Sequence, residues 1–112
     1  MSTFGDFESL AVSEPHPGVS LRRFDSVNAT VNEYTFAPGA CFPLHGHAQE
    51  QVTIVLEGEV DMTVEGVTRS LAAGAWSIVK RNAEHGITAG SHGARILALV
   101  VPRRSYTFFR ES

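Results

Sequence analysis

The sequence has one cysteine, no long apolar run and no excess of basic residues, and each of these features argues against a class of protein. Cys41 cannot form a disulfide within the chain, so the cysteine content does not point to an oxidising compartment. The longest apolar run, residues 96–101, is strand-sized and far below the roughly 18 residues of a membrane-spanning helix. Residues 1–12 lack the basic start and apolar core of a secretory signal. We therefore expect a cytoplasmic protein that does not bind membranes.

The charge balance argues against binding to nucleic acid. Nine Lys and Arg residues oppose twelve Asp and Glu residues, and the net charge is −3, whereas nucleic-acid binders usually carry a basic stripe. The nearest approach to such a stripe is Arg103, Arg104 and Arg110, which we assign to solvent or to a dimer contact. With 112 residues, 43% of them hydrophobic, residues 1–112 are expected to form one globular domain.

Short segments rich in β-branched and aromatic residues alternate with turn signals such as Pro38-Gly39 and Glu65-Gly66. No segment sustains a helical period. We predict strands near residues 19–24, 27–36, 45–56, 59–65, 67–72, 75–79, 85–89 and 94–101, so that the core spans about 19–101 between flanking terminal segments. So many short strands in one small domain must form an all-β sandwich or a closed barrel, because open sheet edges promote aggregation.

The interior of this barrel can also be anticipated. The nearly continuous apolar segment 95–101 predicts a strand that is buried on both faces. Cys41 is expected to be a buried, inert thiol. Four large apolar residues are expected in the core or the wall of a pocket: Phe36, Phe42, Trp76 and Leu97.

Three side chains that can bind a metal occur close together in the predicted strand 45–56. His45, His47 and Gln51 have the same parity, and a strand repeats its direction every second residue, so the three should face the same side. Glu50 has the opposite parity and should face away unless a β-bulge reverses it. His85 is the fourth candidate, much further along the chain.

These residues carry a resemblance to single-domain cupins. His45, His47 and Gln51, bracketed by Gly39 and Gly58, match the spacing of the first cupin motif, with Gln51 in the place of its usual glutamate. Gly74 and His85 match the second motif, whereas its proline, glycine and asparagine positions hold other residues: Lys80, Asn82 and Ala89. The resemblance implies the cupin double-stranded β-helix (a jelly-roll barrel) and a metal bound by His45, His47, Gln51 and His85.

The donor set limits the choice of metal. Three neutral imidazoles suit a divalent transition metal such as Zn, Ni, Fe, Co or Cu, and the neutral amide of Gln51 makes the harder Mn less favourable. One or two coordination positions would stay open for water or a substrate. The alternative is a barrel without metal, in which the histidines are surface or hydrogen-bonded side chains.

The combination of three histidines and a glutamine resembles small cupins that act on unsaturated uronates, and implies an isomerase, lyase or cyclase acting on a small, sugar-acid-like substrate. In those enzymes an arginine after the last strand assists, and Arg104 has the corresponding position. The aspartate and phenylalanine expected on that strand are replaced by Ala98 and Val100. Two alternatives are an Fe(II)-dependent dioxygenase and a non-catalytic barrel that binds or senses a small ligand. A homodimer is expected, since the apolar tail around Tyr106 and Phe109 would otherwise be exposed.

Overall fold

The computed structural model describes residues 3–104, and these form eight strands and one short 3-10 helix, Phe7–Ser9. The strands are β1 (Ser13–His16), β2 (Val19–Asp25), β3 (Thr30–Phe36), β4 (Cys41–His45), β5 (Glu50–Val64), β6 (Val67–Ala72), β7 (Trp76–Val79) and β8 (His85–Val101). None of the helices in the described part of the chain is long and apolar enough to cross a membrane. The all-β prediction is confirmed.

Two long strands, β5 and β8, run side by side through the whole molecule and divide it into two halves. In one half the hydrogen-bonded order is β7-β5-β8-β3-β2-β1, and in the other it is β6-β5-β8-β4, with all pairs antiparallel. The predicted breaks near 57–58 and 90–93 are therefore bends within β5 and β8. The pairing register shifts between Val55 and Val60, which marks β-bulges.

Two glycines make the bend possible. Gly58 has φ 73° and Gly93 has φ 75°, and residues with a Cβ rarely adopt such positive φ angles. A Cβ on Gly58 would also overlap the backbone of Gly93 on the neighbouring strand. The two long strands can thus change direction together only where both backbones lack side chains.

The core lies between the two halves and is made by alternate residues of the long strands. Val60 and Met62 of β5 are buried, while the alternating residues Glu59 and Asp61 are exposed, as the pattern in the sequence predicts. Phe36 is buried as expected, but Trp76 is 64% exposed on the outer face of β7, so its assignment to the core or the pocket wall is wrong. The prediction for 95–101 is also wrong, because Leu97 and Leu99 on the outer face are only half-buried.

Candidate metal centre

The three histidines reach one point from different segments of the chain. His45 is the last residue of β4 and is paired in register with His85, the first residue of β8. His47 lies in the turn between β4 and β5, and Gln51 is the second residue of β5. The prediction that His45, His47 and Gln51 share one strand is therefore wrong, although the residues do converge. A turn between two strands brings them together.

Hydrogen bonds from a second loop to backbone carbonyls of this turn hold it in place. The N–H of Asn82 donates to the carbonyl of His47 at 2.8 Å, and Arg81 Nε donates to the carbonyl of Ala48 at 2.8 Å. Asn82 has φ 66° and stands where the cupin motif has glycine; asparagine tolerates this left-handed conformation. The departure from the motif at this position therefore leaves the loop geometry intact.

The imidazole rings form a tight cluster. The ring centres of His45 and His85 are 4.3 Å apart, those of His47 and His85 are 4.9 Å apart, and those of His45 and His47 are 5.7 Å apart. One nitrogen from each ring lies within 4.8 Å of the others, so the three histidines could hold a metal ion. The proposed His45–His47–His85 grouping is the arrangement found in the structure.

Each ring is oriented by the same kind of hydrogen bond. The Nδ1 atoms of His45, His47 and His85 lie 2.9, 3.0 and 2.9 Å from the carbonyl oxygens of Pro43, Gln49 and Ala83. Since a carbonyl can only accept, each neutral ring must carry its proton on Nδ1. The lone pair on Nε2 is then free to bind a metal, and such backbone bonds are the usual way in which metal-binding histidines are fixed.

His85 Nε2 has no hydrogen-bond partner among residues 3–104, although the side chain is only 1% exposed. A buried polar atom without a partner costs roughly 1–3 kcal/mol, so it needs an explanation. A metal bound at this nitrogen would satisfy it, and so the residues present fit a metal ion.

Gln51 directs its amide towards the same point. Gln51 Nε2 donates to Thr53 Oγ1 at 2.9 Å, and Gln51 Oε1 lies 3.1 Å from His47 Nε2. With the proton of His47 on Nδ1, this second contact joins two acceptors, and a cation between them would relieve the repulsion. Glu50, by contrast, is exposed on the opposite face, as its parity predicts.

The protonation of the cluster is shifted towards the neutral form. The pKa of His45 is lowered to about 4, mainly by burial. The bond to Pro43 acts in the opposite direction, and the nearby His85, His47 and Arg104 contribute to the lowering. Burial also lowers the pKa of His85, partly offset by the bond to Ala83. Both rings are therefore neutral and able to bind a metal at neutral pH.

A small pocket with an aromatic and aliphatic wall opens beside His45, Gln51 and His85. Besides these three residues, its lining consists of Tyr34, Phe42, Gly86, Ile87 and Ile96. Phe42 was expected in the pocket wall and is found there. Tyr34 was missed by the sequence reasoning; its signal is its position in β3 opposite the buried Ile96.

Arg104 lies at the edge of this site. Its backbone N–H donates to Thr30 Oγ1 at 3.0 Å, and its charge is near enough to lower the pKa of His45. A positive charge beside the histidines is suited to a ligand carboxylate.

A buried amide faces the interior next to Ala98. Asn32 is 4% exposed and lies directly opposite Ala98 in the β3–β8 ladder. Its Nδ2 donates to the carbonyl of Ala98 at 3.3 Å, while its Oδ1 has no partner among residues 3–104. Asn32 is a second polar residue that the sequence reasoning missed.

Cys41 does not belong to the site. It is exposed rather than buried, so the expectation of a buried thiol is wrong; β4 turns this side of the strand to solvent. The tail residues Tyr106 and Phe109, and also Arg110, lie outside the described residues.

Comparison with known proteins agrees with the fold and the site. The sequence profile described as "Cupin domain" matches residues 32–102, which contain all four candidate ligands. The chain therefore belongs to the cupin family. A curated relative, dimethylsulfoniopropionate lyase DddW of Ruegeria pomeroyi, is 35% identical over 60 residues, which cover 54% of this chain and 40% of the relative. The matched region spans less than half the length of that relative.

Solved structures show the same fold over nearly the whole chain. An RmlC-like cupin from Shewanella frigidimarina superposes with a TM-score of 0.85 at 24% identity, covering 94% of this chain and 95% of the other. KdgF from a Halomonas species superposes with a TM-score of 0.87 at 21% identity, covering 96% and 99%. These likenesses show the jelly-roll fold that the sequence predicted.

Proposed function

We propose that this cupin is a metal-dependent lyase or isomerase acting on a small substrate that carries a carboxylate. The observation that carries the proposal is the convergence of three unprotonated histidine nitrogens beside a small pocket, with the charge of Arg104 near enough to lower the pKa of His45. The relative named as a dimethylsulfoniopropionate lyase supports the carboxylate and the lyase class. The likeness to cupins that act on unsaturated uronates supports a sugar acid as the alternative substrate.

Each group around the pocket has a task in this proposal. A divalent transition metal held by His45, His47, His85 and Gln51 would act as a Lewis acid on a substrate oxygen. Arg104 holds the substrate carboxylate by charge. The apolar wall of Phe42, Ile87 and Ile96 excludes water, which strengthens these electrostatic interactions.

Tyr34 is the proposed proton-transfer residue. The described residues lining the pocket include no carboxylate, and Ala98 stands where the uronate-type cupins have an aspartate. The phenol oxygen of Tyr34 is the remaining side-chain group, apart from the candidate metal ligands, that can hold or move a proton there. Asn32 Oδ1, buried opposite Ala98, would accept a hydrogen bond from a substrate hydroxyl.

The test is turnover by the metal-loaded chain with dimethylsulfoniopropionate and with a 4,5-unsaturated uronate, followed by NMR. We expect one of the two to be converted, and we expect Tyr34→Phe to lower kcat by about 10²–10⁴-fold while metal content stays unchanged. Glu50→Gln, on the opposite face, is the control that keeps full activity. Binding without turnover would contradict the proposal and favour a sensor barrel, and turnover that requires O₂ would favour a dioxygenase.

A further inference from the structure

Thr53 is a buried hydroxyl residue beside the candidate metal centre, and it is not one of the four candidate ligands. It lies in β5, where it is paired with Ser77 of β7 on one side and with Ala98 of β8 on the other. Its side chain is 0% exposed. A hydroxyl buried so completely needs a hydrogen-bond partner. Gln51 provides one, because its Nε2 donates to Thr53 Oγ1 at 2.9 Å.

The hydrogen bond between Gln51 and Thr53 determines which end of the amide faces the histidines. The two residues are two positions apart in β5, and both are buried on the inside of the barrel. With Nε2 held by Thr53, Gln51 Oε1 faces the cluster and lies 3.1 Å from His47 Nε2. The oxygen is the end of the amide that can bind a metal, since the nitrogen has donors and no acceptor.

The hydroxyl of Thr53 is also well placed to hold this orientation. Threonine is branched at Cβ, which restricts its χ1 angle, so the direction of the hydroxyl is set by the strand. Within residues 3–104, Gln51 Nε2 has no other hydrogen-bond partner. The orientation of the amide therefore depends on this one contact.

We propose that Thr53 is a positioning residue of the metal centre, whose hydroxyl keeps Gln51 Oε1 turned towards a bound metal. This rests on the proposed function in one respect, namely that Gln51 is a metal ligand. Thr53 is not among the described residues that line the pocket, so it acts only through Gln51.

Removal of the hydroxyl affects the metal-bound form more than the metal-free form. With valine at position 53, a metal-bound Gln51 would keep its Nε2, which carries two donors, buried without this partner. In the metal-free form the amide can turn over and donate Nε2 to His47 instead, because His47 Nε2 is an acceptor. The cost therefore falls mainly on the bound form, and the affinity for the metal decreases.

The affinity for Zn²⁺, measured by competition with a chromogenic chelator, tests the proposal. We expect Thr53→Val to lower it about 10-fold, as the loss of an outer-shell partner does in other metal sites. Thr53→Ser keeps the hydroxyl and should retain most of the affinity. Thr63→Val is the matched control, because Thr63 is on the same strand and its hydroxyl is bonded to Thr68 at 2.7 Å, outside the metal centre. It should bind Zn²⁺ as the native chain does.

The order of the serine and valine variants separates positioning from packing. Valine has nearly the shape of threonine, whereas serine lacks its methyl group, so a role in packing alone makes serine the worse substitution. The proposal predicts the opposite order for the affinity for Zn²⁺. In a chain that already carries Gln51→Ala, Thr53→Val should have no further effect, because the two substitutions act on the same interaction.

NMR of the glutamine side chains gives a second readout. The chain has two glutamines, Gln49 and Gln51, and the Gln51→Ala variant identifies which signal belongs to which. Zn²⁺ should shift the side-chain carbonyl signal of Gln51 in the native chain and in Thr53→Ser, but much less in Thr53→Val. In the zinc-loaded native chain, the amide protons of Gln51 should exchange slowly with water because Thr53 holds them. Fast exchange would overturn the proposal without any variant.

The possible failures of this proposal and of the proposed function can be told apart. Equal zinc affinities of the native chain and Thr53→Val would overturn the role of Thr53 and leave the proposed function intact. A loss in Thr53→Val that persists undiminished in the Gln51→Ala chain would also overturn it. A native chain that binds no Zn²⁺ would contradict the proposed function and this proposal together.

Discussion

The three histidines of the metal centre share one feature at the scale of single residues: each donates its Nδ1 proton to a carbonyl two residues away. The chain thereby sets the tautomer of His45, His47 and His85 before any ligand is present. The sequence spacing identified these residues, but it carries no information about the carbonyl partners, which depend on how each loop turns. Rotating the amide of Gln51 by half a turn would give a metal-free network instead, in which its Nε2 donates to His47.

Substitution of single candidate ligands distinguishes the metal-binding arrangement from the metal-free hydrogen-bond network. We expect His47→Ala to lower the affinity for a divalent transition metal by more than about 100-fold, because one of three strong donors is lost, and Gln51→Ala to lower it by only about 10-fold. Glu50→Ala, which faces away, should have no effect. Metal content measured by elemental analysis after dialysis checks this, and equal content in all four proteins would contradict it.

The lowered pKa values of His45 and His85 predict how the metal-free protein responds to acid. In the unfolded chain both rings take up a proton near pH 6.5, whereas in the folded chain His45 does so only near pH 4. The unfolded state thus binds more protons between these values, and the free energy of unfolding falls as the pH drops from 6.5 towards 4. His45 contributes a loss of about 2–3 kcal/mol.

Urea denaturation at a series of pH values, with a chelator present, measures this loss. His45→Gln should flatten the dependence over the same interval, while His92→Gln, at an exposed position, should not change it. A His45→Gln variant whose stability falls as steeply as that of the native chain would contradict the assignment.

At the scale of the strands, the structure brings the predicted residues together through a geometry that differs from the expected one. Parity within one strand placed His45, His47 and Gln51 on one side, whereas the structure ends β4 at His45 and begins β5 at Glu50. The turn between them depends on contacts with Asn82 and Arg81 from a distant loop. The local periodicity of the sequence carries no information about such contacts, so only the motif spacing pointed to this set of residues.

The apolar segment 95–101 shows a second limit of strand patterns. A run of apolar residues predicts burial on both faces, but Leu97 and Leu99 lie on the outer face of the sheet and are only half-buried. The pattern in the sequence does not distinguish a face covered by other parts of the chain from one that is left partly open.

The bend that β5 and β8 share can be tested by substituting its glycine residues. Gly58→Ala should lower the free energy of unfolding by about 2–4 kcal/mol, because the new Cβ meets the strained φ and also the backbone of Gly93. Gly66→Ala is the matched control, since Gly66 has φ 82° but nothing within 4 Å of the added atom. It should cost only about 1 kcal/mol. Urea midpoints that fall equally in both variants would contradict the role of the bend.

At the scale of the whole molecule, the fold was predictable because two kinds of signal agree. The alternation of residues such as Val60 and Met62 with charged neighbours indicates strands, and the spacing of Gly39, His45, His85 and their neighbours resembles a known barrel. The reaction was not predictable in the same way, since one fold supports many chemistries. Tyr34 and Asn32 become candidates only when β3 is seen beside β8.

The central claim is that His45, His47, His85 and Gln51 surround one metal ion. The most direct measurement is X-ray absorption at the edge of the metal that co-purifies with the chain, or of added Zn²⁺. The account predicts three imidazole nitrogens at about 2.0–2.1 Å together with oxygen donors, and the loss of one imidazole in His85→Ala. A metal surrounded only by oxygen atoms, or an unchanged spectrum in that variant, would contradict it.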